Sequence, residues 1–183
     1  SPLSILGSEI MNSATAALLL ILTSPFVFEL TDVVSSLDEP SSLLIQGNDL
    51  HIAELRRVIK VDLSDTNEAP SVIFAEVSNG AHLLLDGNDL YIALFADQAV
   101  VKIDTTQTNA IPETVVTGVF GANGLAIRDN VLYIAESTEG TISCVDLSQS
   151  NRVVTDVVTG LDFPNALLLI QDELYFHEVT ADK

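Results

Sequence analysis

The sequence predicts an all-β chain built from a repeated four-stranded unit, and three observations carry that prediction. The first is internal self-similarity at a period of about 42 residues. Leu50-His-Ile-Ala-Glu54 recurs as Leu90-Tyr-Ile-Ala-Leu94, Leu132-Tyr-Ile-Ala-Glu136 and Leu174-Tyr-Phe-His-Glu178, at offsets of 40, 42 and 42. The second is that every full unit holds four short apolar or alternating runs rich in Val, Ile, Leu and Tyr, the composition of half-buried strands. The third is turn chemistry between those runs: Gly47-Asn-Asp49, Gly87-Asn-Asp89 and Asp129-Asn130 separate the first run from the second. Gly adopts positive φ without steric cost and Asn and Asp tolerate it, so these are tight hairpins. No segment shows convincing 3.6-residue periodicity beside these signals.

Taken in order, the chain opens on its most apolar stretch, residues 14–28, centred on Leu18-Leu19-Leu20-Ile21-Leu22. A membrane-spanning helix needs about 20 apolar residues, and Ser24-Pro25 interrupts this run too early. No Lys or Arg precedes Arg56, so a secretory signal's basic flank is missing, although Met11 followed by an apolar run has the general order of one. Residues 1–31 are expected to be either edge strands broken at Ser24-Pro25 or a signal-derived segment, and residues 32–183 a repeat domain. Residues 26–30 and 32–37 read as two strands standing third and fourth in a unit, since Val33-Val-Ser-Ser-Leu37 matches Val115-Val-Thr-Gly118 and Val157-Val-Thr-Gly-Leu161. Three full units follow at about 41–77, 81–119 and 123–161, and residues 165–178 supply the first two strands of another. First strands are Ser42-Leu-Leu-Ile45 and its counterparts beginning at His82, Gly124 and Ala166; third strands are Val58-Ile-Lys-Val-Asp62, Val100-Val-Lys-Ile-Asp104 and Ile142-Ser-Cys-Val-Asp146.

Four strands in 40–45 residues is the size of a β-propeller blade. The Leu-Tyr-Ile-Ala-Glu run, preceded by Ala-Asn-Gly (122–124) or Pro-Asn-Ala (164–166), resembles the six-bladed NHL-like and gluconolactonase-like propellers. The likeness is to secreted bacterial repeat proteins with units of the type PNGL…GNDLYIAE…KIDL, and it covers residues 33–178. Unit arithmetic gives a propeller of about four blades, fewer than the resembled family has, with the N-terminal strands completing the last blade across the seam, since an unpaired edge is an aggregation hazard. The alternatives are completion by a second chain and a longer protein of which this is a fragment.

Candidate chemistry is sparse. Glu54, Glu136 and Glu178 end equivalent second strands, with Leu94 breaking the series, and carboxylates converging at one face would bind Ca²⁺ through oxygen. In the gluconolactonase-like enzymes a divalent metal is held by Glu, Asn and Asp, so the resemblance adds Asn123 and Asn165 to that set. The plainer reading is a strand-end residue preserved by duplication. His82 stands where other units have Ser42, Gly124 and Ala166, and His177 replaces Ala53, Ala93 and Ala135; an odd residue in a repeat is where a binding or acid–base role is grafted. His51 carries less weight. The pattern Asp-x-(Ser/Thr)-x-(Ser/Thr)-Asn at 62–67, 104–109 and 146–151 is read as Asx turns rather than a calcium loop, because it lacks the loop's Gly and terminal Glu.

Composition narrows the function. Lys plus Arg number 7 against 26 Asp plus Glu, a net charge of −19, so no basic surface for nucleic acid or anionic lipid can be assembled. One cysteine, Cys144, leaves no intrachain disulfide and no multi-cysteine zinc site. Neither a Gly-x-Ser-x-Gly elbow nor a phosphate loop occurs. The expectation is a secreted or surface binding module, extracellular or periplasmic and non-catalytic, presenting a rigid scaffold to a protein or glycan partner. The alternatives are a divalent-metal-dependent lactonase or hydrolase and a self-assembling subunit that forms homo-oligomers.

Overall fold

A computed structural model of the chain describes residues 17–24, 27–65, 67–75, 77–107 and 110–179. Every regular element among them is a strand, and sixteen strands follow one another as antiparallel meanders. β1 (Ala17–Ser24) and β2 (Val27–Val34) form a hairpin. The first four-stranded sheet comprises β3 (Ser42–Gln46), β4 (Asp49–Ala53), β5 (Arg57–Asp62) and β6 (Ser71–Ala75). The second comprises β7 (Gly80–Asp86), β8 (Asp89–Leu94), β9 (Ala99–Asp104) and β10 (Glu113–Thr117). The third comprises β11 (Ala122–Arg128), β12 (Val131–Glu136), β13 (Thr141–Asp146) and β14 (Thr155–Thr159). β15 (Pro164–Ile170) and β16 (Glu173–Glu178) make a two-stranded sheet. No helix among the described residues is long and apolar enough to cross a membrane.

The turn residues act as their chemistry requires. Gly47 and Gly87 both take φ near +61°, and Asp129 and Asn130 both lie at positive φ, the backbone of a hairpin that follows strand twist. At the third-to-fourth-strand connection, Asp62, Asp104 and Asp146 each accept two hydrogen bonds at Oδ1, from the backbone N–H and the hydroxyl of Ser64, Thr106 and Ser148. These are Asx turns, and they hold the chain as it leaves the third strand.

The core lies between sheets. Ala53 and Val58 of the first sheet pack with Leu83, Leu90, Ile92 and Val101 of the second. Tyr91, Val100 and Val115 of the second pack with Leu125, Leu132 and Ile134 of the third. Ala126, Ala135 and Ile142 then meet Leu167, with Leu169 and Leu174 against them. The second strands of the three full sheets, β4, β8 and β12, are therefore largely buried on both faces, which explains their continuous apolar runs; each fully buried Ile or Leu contributes about 1.5–3 kcal/mol. First strands neighbour one another in the order β3, β7, β11, β15.

The expected closure by the N-terminal strands is not made. A single strand, β2, takes in part of each of the two segments expected at 26–30 and 32–37, crosses the 31/32 boundary, and pairs with β1. Among the described residues neither strand pairs with β15 or β16. Val33 and Leu37 instead pack on Leu50, Ile52, Ile59 and Val61 of the first sheet. The reason is local: β1 is adjacent in sequence, so the hairpin costs little loop-closure entropy, and its residues 17–22 are all apolar.

Candidate functional site

Each first strand is entered through a residue in the left-handed region: Glu39, Asn79, Gly121 and Phe163 occupy equivalent positions at φ of 47°, 57°, 67° and 53°. Gly and Asn adopt this conformation readily, whereas a bulky Phe there is strained. The strained residue faces a cavity of about 520 Å³ where the first strands begin. Ser41, Asn79, His82, Phe95, Asn123, Phe163 and Asn165 line it, so all four repeats contribute. The Phe95 and Phe163 rings stand 6.3 Å apart between centroids, tilted by 40°.

The polar groups around this cavity are held by the gaps between sheets. The Leu125 N–H donates to His82 Nδ1 at 3.1 Å, so the imidazole is neutral with its proton on Nε2, and burial pushes its pKa down. One sheet earlier, the Leu83 N–H donates to Ser42 Oγ at 3.1 Å in the equivalent way. One sheet later the position is Gly124, where an added Cβ would stand 2.2 Å from the Asn165 carbonyl oxygen. The three residues Ser, His and Gly thus match three different spacings between successive first strands. Asn123 Nδ2 donates to Ser137 Oγ at 3.2 Å, and that hydroxyl donates in turn to the Pro164 carbonyl at 2.5 Å.

His82, Asn123 and Asn165, singled out from the sequence for different reasons, meet at this cavity. The glutamates do not join them. The Asp38 N–H donates to Glu54 Oε1 at 2.7 Å, the Phe120 N–H to Glu136 Oε2 at 2.7 Å, and the Asp162 N–H to Glu178 Oε1 at 2.6 Å. Each carboxylate fastens the loop 16 residues upstream, and Glu54 also pairs with Arg57. Where Leu94 interrupts the series, it shares an apolar cluster with Val77 instead. Among the described residues, no group of three or more His, Cys, Asp or Glu side chains is gathered as a metal ion would require. His177 is exposed on β16, away from the cavity lining. Cys144 is half-buried on β13, with its thiol pKa raised by burial. Phe95, Phe163 and Asn79 escaped the sequence reading; the signal for Phe95 was an aromatic where the other repeats carry Leu55, Ser137 and Val179.

Comparison with solved structures settles the architecture. The chain superposes on a nidogen/laminin complex structure with a TM-score of 0.69 at 17% identity, over 84% of this chain and 61% of that one. It superposes on the computationally designed Ika4 protein with a TM-score of 0.58 at 12% identity, over 78% of this chain and 92% of that one. The designed Ika8 protein matches with a TM-score of 0.57 at 13% identity, over 75% of this chain and 42% of that one. The fold is that of a β-propeller. The chain spans less than two thirds of the Ika8 and nidogen/laminin chains. No protein-family model matches the sequence, and no curated protein matches it. The three four-stranded sheets are therefore three successive blades, and the cavity lies where their inner strands begin.

Proposed function

We propose that the chain is a non-catalytic binding module that holds a neutral, hydroxyl-rich ligand, a glycan, in the cavity at the inner strand ends. The observation that carries this reading is the lining itself. Three asparagine side chains, the neutral His82 and two phenylalanine rings surround it, and none of the nine residues lining it is charged in a chain of net charge −19. Amides offer both donors and acceptors to hydroxyl groups, and ring faces cover the apolar side of a sugar. The strained φ of Phe163 supports the same reading, because such strain persists where a side chain must be aimed. An extracellular or periplasmic setting and kinship with NHL-like and gluconolactonase-like propellers rest on the repeat motif alone. The hydrolase alternative fares less well, since Glu54, Glu136 and Glu178 are committed to backbone N–H groups.

The test is calorimetric titration with a panel of neutral oligosaccharides. Saturable binding is expected for at least one, weakened about tenfold or more by Asn123→Ala and by Phe163→Gly, a loss of about 1.4 kcal/mol. Phe163→Gly relieves the strained backbone, so the fold should survive while binding is lost. A panel without a binder, or binding indifferent to both variants, would refute the reading.

A second reading, self-assembly, is favoured by the β15–β16 hairpin. Among the described residues β16 pairs with β15 alone, and Leu168, Ile170, Tyr175 and Phe176 are 40–57% exposed. Strand addition by a second copy would cover them. Light scattering should then show a dimer that Tyr175→Lys with Phe176→Lys returns to monomer; a wild-type monomer at millimolar concentration excludes it.

A further inference from the structure

A different cleft, between the first and second blades, stands apart from the cavity just described. It holds about 360 Å³ and is lined by His51, Lys60, Ser71, Ile73, Asp104 and Ala110 among others. His51 is 1% exposed, yet among the described residues neither ring nitrogen has a hydrogen-bond partner. An unpartnered buried polar group is costly, and in a site with this much room it marks a place where something binds.

The repeat shows what is missing. His51 pairs across the sheet with Lys60, and Tyr91 with Lys102, so His51 stands where the next blade has Tyr91. Ser71 pairs with Lys60 and Glu113 with Lys102, so Ser71 stands in place of Glu113. Ile73 and Val115 are the unpaired bulge residues two positions further on. Ala110 stands 42 residues before Arg152. Between the second and third blades Arg152 fills the gap: its Nη1 donates to the Val115 carbonyl at 3.2 Å and to Glu113 Oε1 at 3.4 Å, and its charge reaches the buried Tyr91. Between the first and second blades the tyrosine, the arginine and the glutamate are all replaced by smaller residues, and the cleft is the volume they vacate.

We propose that this cleft is a binding site for a guanidinium group, supplied by a free small cation or by an arginine side chain of a partner peptide. The ligand takes the place that Arg152 holds one blade later. A neutral imidazole always carries one bare ring nitrogen, and that lone pair accepts a guanidinium N–H. The Ile73 carbonyl, at the same bulge as that of Val115, is a second acceptor. The charge balance suits a cation. Lys60 is already paired with Asp49 at 3.0 Å, which leaves Asp104 at the rim and the field of a chain at −19.

The experiment is a titration of the full chain with methylguanidinium chloride at constant ionic strength, followed by nuclear magnetic resonance of the His51 ring. Saturable binding in the millimolar range is expected, with shifts confined to His51, Ser71, Ile73 and Ala110. Ala110→Arg should carry its own plug and abolish binding. Ser71→Glu restores the carboxylate of the next blade and should tighten binding by about twofold to fivefold. An acetylated arginine amide binding with equal or better affinity assigns the site to a peptide side chain, and one that fails to bind assigns it to a free small cation. An equal response to tetramethylammonium or to urea overturns the proposal, because neither a diffuse cation effect nor neutral donors would read this site. Absence of saturation, or binding unchanged in Ala110→Arg, overturns it as well.

Discussion

Glu54, Glu136 and Glu178 do the same work in different surroundings, and burial decides how much each contributes. The Glu54 side chain is fully buried, accepts a backbone N–H and pairs with Arg57. Glu54→Ala strands the Asp38 N–H while Arg57, itself 42% exposed, turns to water, so a loss of about 2 kcal/mol is expected from urea denaturation. The Glu178 bond is exposed, and Glu178→Ala should cost less than about 1 kcal/mol. Equal losses would show that burial is not the deciding variable. Buried His51 and half-buried His82 make a second prediction at this scale. Burial lowers the pKa of both, outweighing at His51 the opposing effect of Asp49, with Lys60 lowering it further. A depressed folded-state pKa gives stability that is complete above the unfolded value of about 6.5 and is lost as pH falls through the folded value. Denaturation midpoints should therefore fall between pH 7 and pH 5, and less steeply in His51→Tyr. A flat profile there would contradict the buried neutral state. Below about pH 4, a further loss is expected from Asp62, Asp104 and Asp146, whose pKa values are lowered by the Ser64, Thr106 and Ser148 hydrogen bonds.

Strands and turns were legible because they rest on neighbours in the chain. The Gly-Asn-Asp hairpins, the Asx turns and the alternation of β5, β9 and β13 follow from φ preferences and side-chain periodicity, which act within a few residues. Contacts between elements were not legible. Gly124 stands at a position that varies as Ser42, His82 and Ala166 in the other repeats, yet an added Cβ would lie 2.2 Å from the Asn165 carbonyl oxygen and 2.8 Å from the Leu167 nitrogen. Gly124→Ala should thus cost more than about 2 kcal/mol by pushing two inner strands apart. At Gly87 nothing lies within 4 Å, and only its φ of +61° opposes a side chain. Gly87→Ala should cost about 1 kcal/mol. If thermal melts rank the two in the opposite order, the spacing argument fails. The axial cavity and the His51 cleft were hidden for the same reason: Phe95 meets Phe163, and His51 shares a cleft with Ala110, across separations of more than a full repeat.

For the whole molecule the dominant electrostatic fact is the charge of −19. Salt should stabilise the chain by screening self-repulsion, and calcium should do no more than sodium chloride at sufficient concentration, where the screening length falls to about 3 Å at 1 M. Melting curves in the two salts check this. One saturable micromolar calcium site lost in Glu136→Ala would bring the metal-dependent hydrolase forward instead. The repeat period, the hairpins and the apolar second strands of the full units were determined by the sequence alone, because each repeats at a period set by local backbone geometry. Tertiary structure decided that β1–β2 pair with each other and lie against the first blade, that the glutamates hold loops, and that two clefts open between inner strands and between blades. Those outcomes depend on distances between sheets, and such distances are set by the bulk of side chains meeting from different repeats, which no local pattern in the chain records.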